Sequence, residues 1–148
     1  MLAGKLYDPA TAVAKSTAAL LAMTALDTVN LRLSFTVPSN GRVMVRMASV
    51  VSGGTVFPQV LLGVLEGATV RGRIAPTQVV GGTALATTFL GLDALFVVTG
   101  LTPAVALNWD AAYGVETLAA TSNLRYGGPN NAVANDAWGG FAFEVWDA

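Results

Sequence analysis

The sequence predicts an all-β fold: an antiparallel two-sheet sandwich of about eight strands over residues 16–148, preceded by an N-terminal arm over residues 1–15. Three observations carry this expectation. In residues 31–37, Leu31, Leu33, Phe35 and Val37 alternate with Arg32, Ser34 and Thr36, the two-residue period of a strand with one buried face. Clusters of Gly, Pro, Asn and Asp punctuate the chain about every ten residues, the spacing of short antiparallel strands. The chain is also 53% hydrophobic and 11% charged, which supplies apolar side chains for two inward faces.

Residues 1–15 are irregular around Asp8 and Pro9 and too rich in small side chains to build a core. They read as an arm, either disordered or ordered against a neighbour. In residues 18–26 the helix propensity of Ala and Leu competes with the alternation of Leu21, Met23 and Ala25, and the β context favours a first strand. Asp27-Thr28 turns the chain into residues 31–37. Pro38-Ser39-Asn40-Gly41 then breaks the run, and Val43, Val45 and Met47 share a face of residues 42–51, so the two runs read as a β-hairpin.

After a loop at residues 52–54, residues 55–66 form an apolar strand entered at Pro58, whose missing donor suits an edge or a bend. Beyond Glu66-Gly67, Val70, Gly72 and Ile74 alternate with Thr69, Arg71 and Arg73. Residues 78–83 read as a Gly-rich passage and residues 84–92 as a strand with Leu85, Thr87 and Phe89 on one face. Asp93 opens a further strand at residues 94–99, apolar enough to be buried on both faces. Gly100-Leu101-Thr102-Pro103 turns into residues 105–113, which place Val105, Leu107 and Trp109 on one side. Residues 123–126 are a short segment, and residues 127–136 are the longest polar, turn-rich stretch. In the closing strand, residues 137–146, Phe141, Phe143 and Val145 alternate with Ala142, Glu144 and Trp146.

At 148 residues and 15.1 kDa the chain is expected to be one domain that removes roughly 70% of its unfolded surface from water. Its seventeen charged side chains, 8 basic and 9 acidic, are few for the surface left over, so part of the apolar surplus is expected to lie against other copies or other proteins. The longest charge-free runs, residues 47–65 and 74–92, are broken by Gly and Pro and do not read as membrane-spanning helices. No secretory leader is apparent at the N-terminus. A net charge of −1 with scattered basic residues gives no footprint for nucleic acid.

With no His and no Cys, the triad, thiol and imidazole chemistries and the usual transition-metal sites are excluded, and no cofactor is expected. Asp110, Glu116, Asp136 and Glu144 are the carboxylates from which a glycosidase pair would be drawn, but nothing in their spacing brings two to one cleft, so the chain reads as a non-enzyme. Asn130, Asn131, Asn135 and Asp136 offer oxygens for Ca²⁺ but only one carboxylate, and Asx turns explain them equally. Trp109, Tyr113, Tyr126, Trp138 and Trp146 fall near strand ends, where they serve a core, an interface or a sugar platform. Tyr126 and Trp138, with the loop between them, are the candidate ligand contacts. Arg42 and Arg46 share one strand face and Arg71 and Arg73 another, where guanidinium groups either pair with carboxylates across subunits or solubilise the surface.

Residues 35–43, Phe-Thr-Val-Pro-Ser-Asn-Gly-Arg-Val, with Gly100-Leu101-Thr102-Pro103 and the closing run from Trp138 to Val145, resemble the small jelly-roll domains of bacteriophage virion proteins, similar to the C1q and tumour-necrosis-factor fold. The resemblance covers residues 20–148 and rests on structural motifs. It implies a homotrimer whose last strands, with Phe141 and Phe143, line a shared axis, acting as a virion component. Without a repetitive shaft or heptads, a capsid decoration protein contacting the major capsid protein is the expected role, and the alternative is a receptor- or glycan-binding module at a tail tip. The implied location is the virion, assembled in the host cytoplasm.

Overall fold

The computed structural model describes residues 1–11, 13–16, 22–52, 59–80, 89–116, 123–127 and 140–148. These residues form twelve strands and no helix: β1 (Ala3–Tyr7), β2 (Val13–Ser16), β3 (Thr24–Ala25), β4 (Arg32–Thr36), β5 (Val43–Ser52), β6 (Val60–Glu66), β7 (Thr69–Ile74), β8 (Thr77–Val80), β9 (Phe89–Val98), β10 (Ala106–Val115), β11 (Asn123–Tyr126) and β12 (Phe141–Asp147). They make two antiparallel sheets packed face to face, so the all-β sandwich expected from alternation is the fold.

The seven-stranded sheet is centred on β5. One side of β5 pairs along its whole length with β9, which in turn pairs with β8. The other side is shared, with β12 against residues 43–49 and β11 against residues 51–52; β1 lies outside β12 and β2 outside β11. The five-stranded sheet is centred on β10, with β6 and then β7 on one side and β4 and β3 end to end on the other. Leu33, Phe35 and Trp109 from the second sheet meet Val45, Met47, Phe143 and Val145 from the first in one core. Phe35 and Trp109 stack edge to face at 4.9 Å.

Residues 31–51 are not a hairpin. β4 pairs with β10 in one sheet and β5 with β9, β11 and β12 in the other, so residues 37–42 carry the chain across the sandwich. The turn chemistry is as expected, but it serves a corner. Gly41 N donates to the Pro38 carbonyl (3.0 Å), and Arg42 N to Asn40 Oδ1 (3.0 Å). Gly41 sits at φ +65, where a Cβ would lie 2.6 Å from the Leu101 carbonyl oxygen. A corner satisfies the same alternation because Leu33 and Phe35 face Val45 and Met47 across the core rather than beside them.

Where described, residues 1–15 pair with strands of the chain's own sheet. β1 is an edge strand of the chain's own sheet, in register with β12 from Ala3–Val145 to Tyr7–Phe141, and β2 pairs with β11. Two side chains anchor β1: Tyr7 stacks edge to face on Tyr126 at 6.4 Å, and Pro9 is buried against Gly127. Of the expected Gly-rich passage at 78–83, residues 78–80 belong to β8, and residues 81–83 lie outside the described residues. The strands expected at 84–92 and 94–99 are one strand where described, because Asp93 stays exposed on the outer face and does not interrupt β9. Of the expected first strand at 18–26, residues 24–25 form β3, and residues 18–21 lie outside the described residues.

A bulge between Val64 and Leu65 changes the parity of β7. Val70 therefore lies beside Leu65, whereas Gly72 and Ile74 lie beside Val64 and Leu62. Arg71 and Arg73 are separated by the same shift, Arg71 reaching Glu66 and Arg73 lying beside Gly63.

Candidate docking face

The inner faces of the two sheets close the core, and their outer faces differ in character. On the five-stranded sheet the outer face is polar. Arg32 Nε and Nη2 donate to Asp110 Oδ1 and Oδ2 at 2.7 and 2.8 Å, and Ser34 Oγ donates to Asn108 Oδ1 at 2.5 Å. The hydrogen bond to Asp110, then its charge, raises the pKa of the Arg32 guanidinium.

The outer face of the seven-stranded sheet carries exposed apolar side chains around one charge cluster. Pairing register sets its rows: Leu6, Ala142, Ala48, Asp93 and Thr77 run across β1-β12-β5-β9-β8; Gly4, Glu144, Arg46 and Leu95 form the next row, and Trp146, Met44 and Val97 a third. Leu6 is 69% exposed, Val79 61%, Leu95 57% and Val97 46%. A shallow depression of about 440 Å³ runs between Leu6 and Val79 over a floor of Ala48, Val50, Gly91 and Ala142. Small residues in the middle strands and larger ones on β1 and β8 give it this shape.

One charge cluster sits within the face. Arg46 lies between Asp93 (3.8 Å) and Glu144 (3.7 Å), and Trp146 Nε1 donates to Glu144 Oε2 at 3.2 Å. Arg46 and Asp93 are at least half exposed, so these pairs contribute less than about 1 kcal/mol each in the free chain. They leave Leu6, Val79, Leu95 and Val97 open around them.

The structure redistributes the residues singled out from sequence. Arg46 lies on the docking face and Arg42 immediately precedes β5, exposed at its end. Phe141 and Phe143, expected at a subunit axis, are instead 1% and 0% exposed inside the chain's own sandwich, because odd positions of β12 point inward. Tyr126, expected as a ligand contact, is 2% exposed, its ring packed between Tyr7 and Phe141. Asn130, Asn131, Asn135, Asp136 and Trp138 lie outside the described residues. Among the carboxylates, Asp110 is held by Arg32 and Glu144 by Arg46 and Trp146, Glu116 is exposed, and Asp136 lies outside the described residues. Among the described residues no three Asp, Glu, His or Cys side chains gather as a metal-binding group.

Sequence reading missed Leu6, Val79, Leu95 and Val97. The signal for the last two is present, since 94–98 is apolar at every position, but alternation alone reads it as burial on both faces. The outward half of that pattern is open in the chain by itself.

Tyr126 Oη is buried without a hydrogen-bond partner among the described residues. Burial first, then the charges of Asp27 and Tyr7, push its pKa from 10.0 up to about 12. The folded state therefore holds this proton more tightly than the unfolded chain. The resulting stability is fully present below pH 10 and is lost as pH rises through about 12, roughly 2–3 kcal/mol in all. Tyr113, raised by burial, adds to the same alkaline decline. Tyr126→Phe removes an unsatisfied buried hydroxyl and is expected to raise stability at pH 8 by about 1 kcal/mol and to flatten the decline between pH 10 and about 12. Urea unfolding at the two pH values reads both effects.

Compared with known proteins, the chain matches no family model, no curated protein and no solved structure.

Proposed function

We propose that the chain is a structural component of a bacteriophage particle, a capsid decoration protein that assembles as a homotrimer, with the outer face of β1, β12, β5, β9 and β8 as one side of each contact between copies, and covers a junction of the major capsid protein. The observation that carries this reading is the set of exposed apolar side chains Leu6, Val79, Leu95 and Val97 on one face, around the Arg46 charge cluster, in a chain with only 11% charged residues. At about 4.8 Å between strands and 3.3 Å per residue, five strands of these lengths project roughly 570 Å². A standard interface buries ~800 Å² per partner, so this face supplies a large part of one and neighbouring surface the rest.

Chain connectivity supports the finer description. β4 to β5, β5 to β6, β7 to β8, and β9 to β10 each cross the sandwich, while β6-β7 and β8-β9 pair within one sheet. A chain that winds between two sheets in this way is similar to the jelly roll that the sequence resembles. The receptor- or glycan-binding alternative loses Tyr126 as a platform, since its ring is buried.

Light scattering at low and high salt tests assembly. A salt-resistant mass three times 15.1 kDa is expected, and a monomer at both salts and at high concentration overturns the trimer. Binding to undecorated capsids, followed by heating, tests the role: bound protein should raise the temperature at which shells open. No binding to capsids overturns the decoration role whatever the mass.

A further inference from the structure

A second concavity, of about 220 Å³, lies at the end of the sandwich where β9 turns into β10. It is bordered by Glu66, Arg71, Leu101, Thr102, Val105 and Leu107. Its polar wall is a fully oriented ion pair. Arg71 Nε and Nη2 donate to Glu66 Oε2 and Oε1 at 3.0 Å each, and the Trp109 indole donates to Oε2 at 3.0 Å. These donors, Arg71 first and Trp109 second, hold the Glu66 carboxyl ionised below its ordinary range. The Glu66 carboxylate and the Arg71 guanidinium thus stand side by side in the wall of the concavity.

The loop that forms the opposite wall is fixed. Leu101 N donates to the Gly41 carbonyl (3.1 Å), Ala104 N to that of Val37 (3.0 Å) and Val37 N to that of Val105 (2.9 Å). Ala104 is held at φ 62, a left-handed conformation that a non-glycine residue keeps only where its surroundings impose it. Val105, 41% exposed, and Leu107 add an apolar wall. The volume equals about seven waters at about 30 Å³ each, room for one sugar ring.

We propose that this pocket binds a single neutral sugar ring, through a pair of adjacent hydroxyls. The Glu66–Arg71 pair is neutral overall, so it disfavours ligands of either charge. It presents an acceptor and a donor side by side, the pattern that a vicinal diol completes with one donated and one accepted hydrogen bond. Val105 and Leu107 meet the C–H edge of the ring. The site is separate from the apolar face and does not rest on the assembly reading.

The Trp109 indole N–H touches Glu66 directly, so its NMR resonance reports on the pocket. It is assigned among the three tryptophans with Trp138→Phe and Trp146→Phe. Titration with glucose, galactose, mannose and N-acetylglucosamine should shift it saturably for at least one sugar, with a Kd on the order of 1–10 mM. Thr102→Arg, at an exposed loop position, should fill the pocket and abolish the shift with the amide spectrum otherwise retained. Glu66→Gln should weaken binding at least about tenfold, and if one variant fails to fold the other decides. The proposal is overturned if no sugar in the panel shifts Trp109 saturably, or if a folded variant of either kind binds as the parent does.

Discussion

Phe143→Ala should lower the unfolding free energy by about 3–5 kcal/mol, a large part of the 5–15 kcal/mol typical of a domain. Phe143 is 0% exposed in the middle of β12, in register with Met47 on β5 and Lys5 on β1. Its ring belongs to the core that Met47, Val45 and Val145 share with Leu33, Phe35 and Trp109. Truncation removes both the transfer free energy of the ring and the contacts around the cavity left behind, and a two-sheet core collapses poorly onto such a gap because both backbones are held by their ladders. Urea unfolding at two protein concentrations checks this. A loss independent of concentration places Phe143 in the fold of each chain. A loss that shrinks at high concentration would assign it to a subunit contact, because stability shared between copies depends on concentration.

Leu95→Asp combined with Val97→Asp should have the opposite character. Both side chains are about half exposed on the outer face of β9, so the charges are hydrated in the free chain and should change its unfolding by no more than about 1 kcal/mol. In an assembly built on this face each carboxylate would be buried without a partner, at a cost of several kcal/mol per contact, enough to raise the dissociation constant by at least about a thousandfold. The expected result is a folded protein of 15.1 kDa by light scattering at concentrations where the parent remains associated. An unchanged mass would remove the face from the assembly and leave the charge-poor composition to be explained by another surface.

The two variants mark the division between what is legible along the chain and what is not. Alternation is local: Leu31, Leu33, Phe35 and Val37 against Arg32, Ser34 and Thr36 state which side of β4 is buried, and all four are buried. The same reading places Phe141, Phe143 and Val145 on one inward face of β12. Turn chemistry is local too, since Pro38, Asn40 and Gly41 specify a reversal whatever lies beyond it. Function was less legible. Leu95 and Val97 look the same in sequence whether the second face of β9 is covered by the chain itself or left open, and the Glu66–Arg71 pocket joins β6, β7 and the β9-β10 loop, which are brought together only by folding.

The sequence by itself determined that this protein is all β, which positions in each run face the core, and where most of the reversals fall. Only the tertiary structure decided which strands are partners: that residues 31–51 span the sandwich instead of forming a hairpin, that residues 3–7 join β12 as an edge strand, and that Phe143 belongs to the core while Leu95 stays in solvent. The reason is physical. Side-chain period and turn geometry are set by a few neighbouring residues, whereas backbone pairing is chemically alike for every strand, so partners are chosen by how the large side chains of distant segments fill one shared interior.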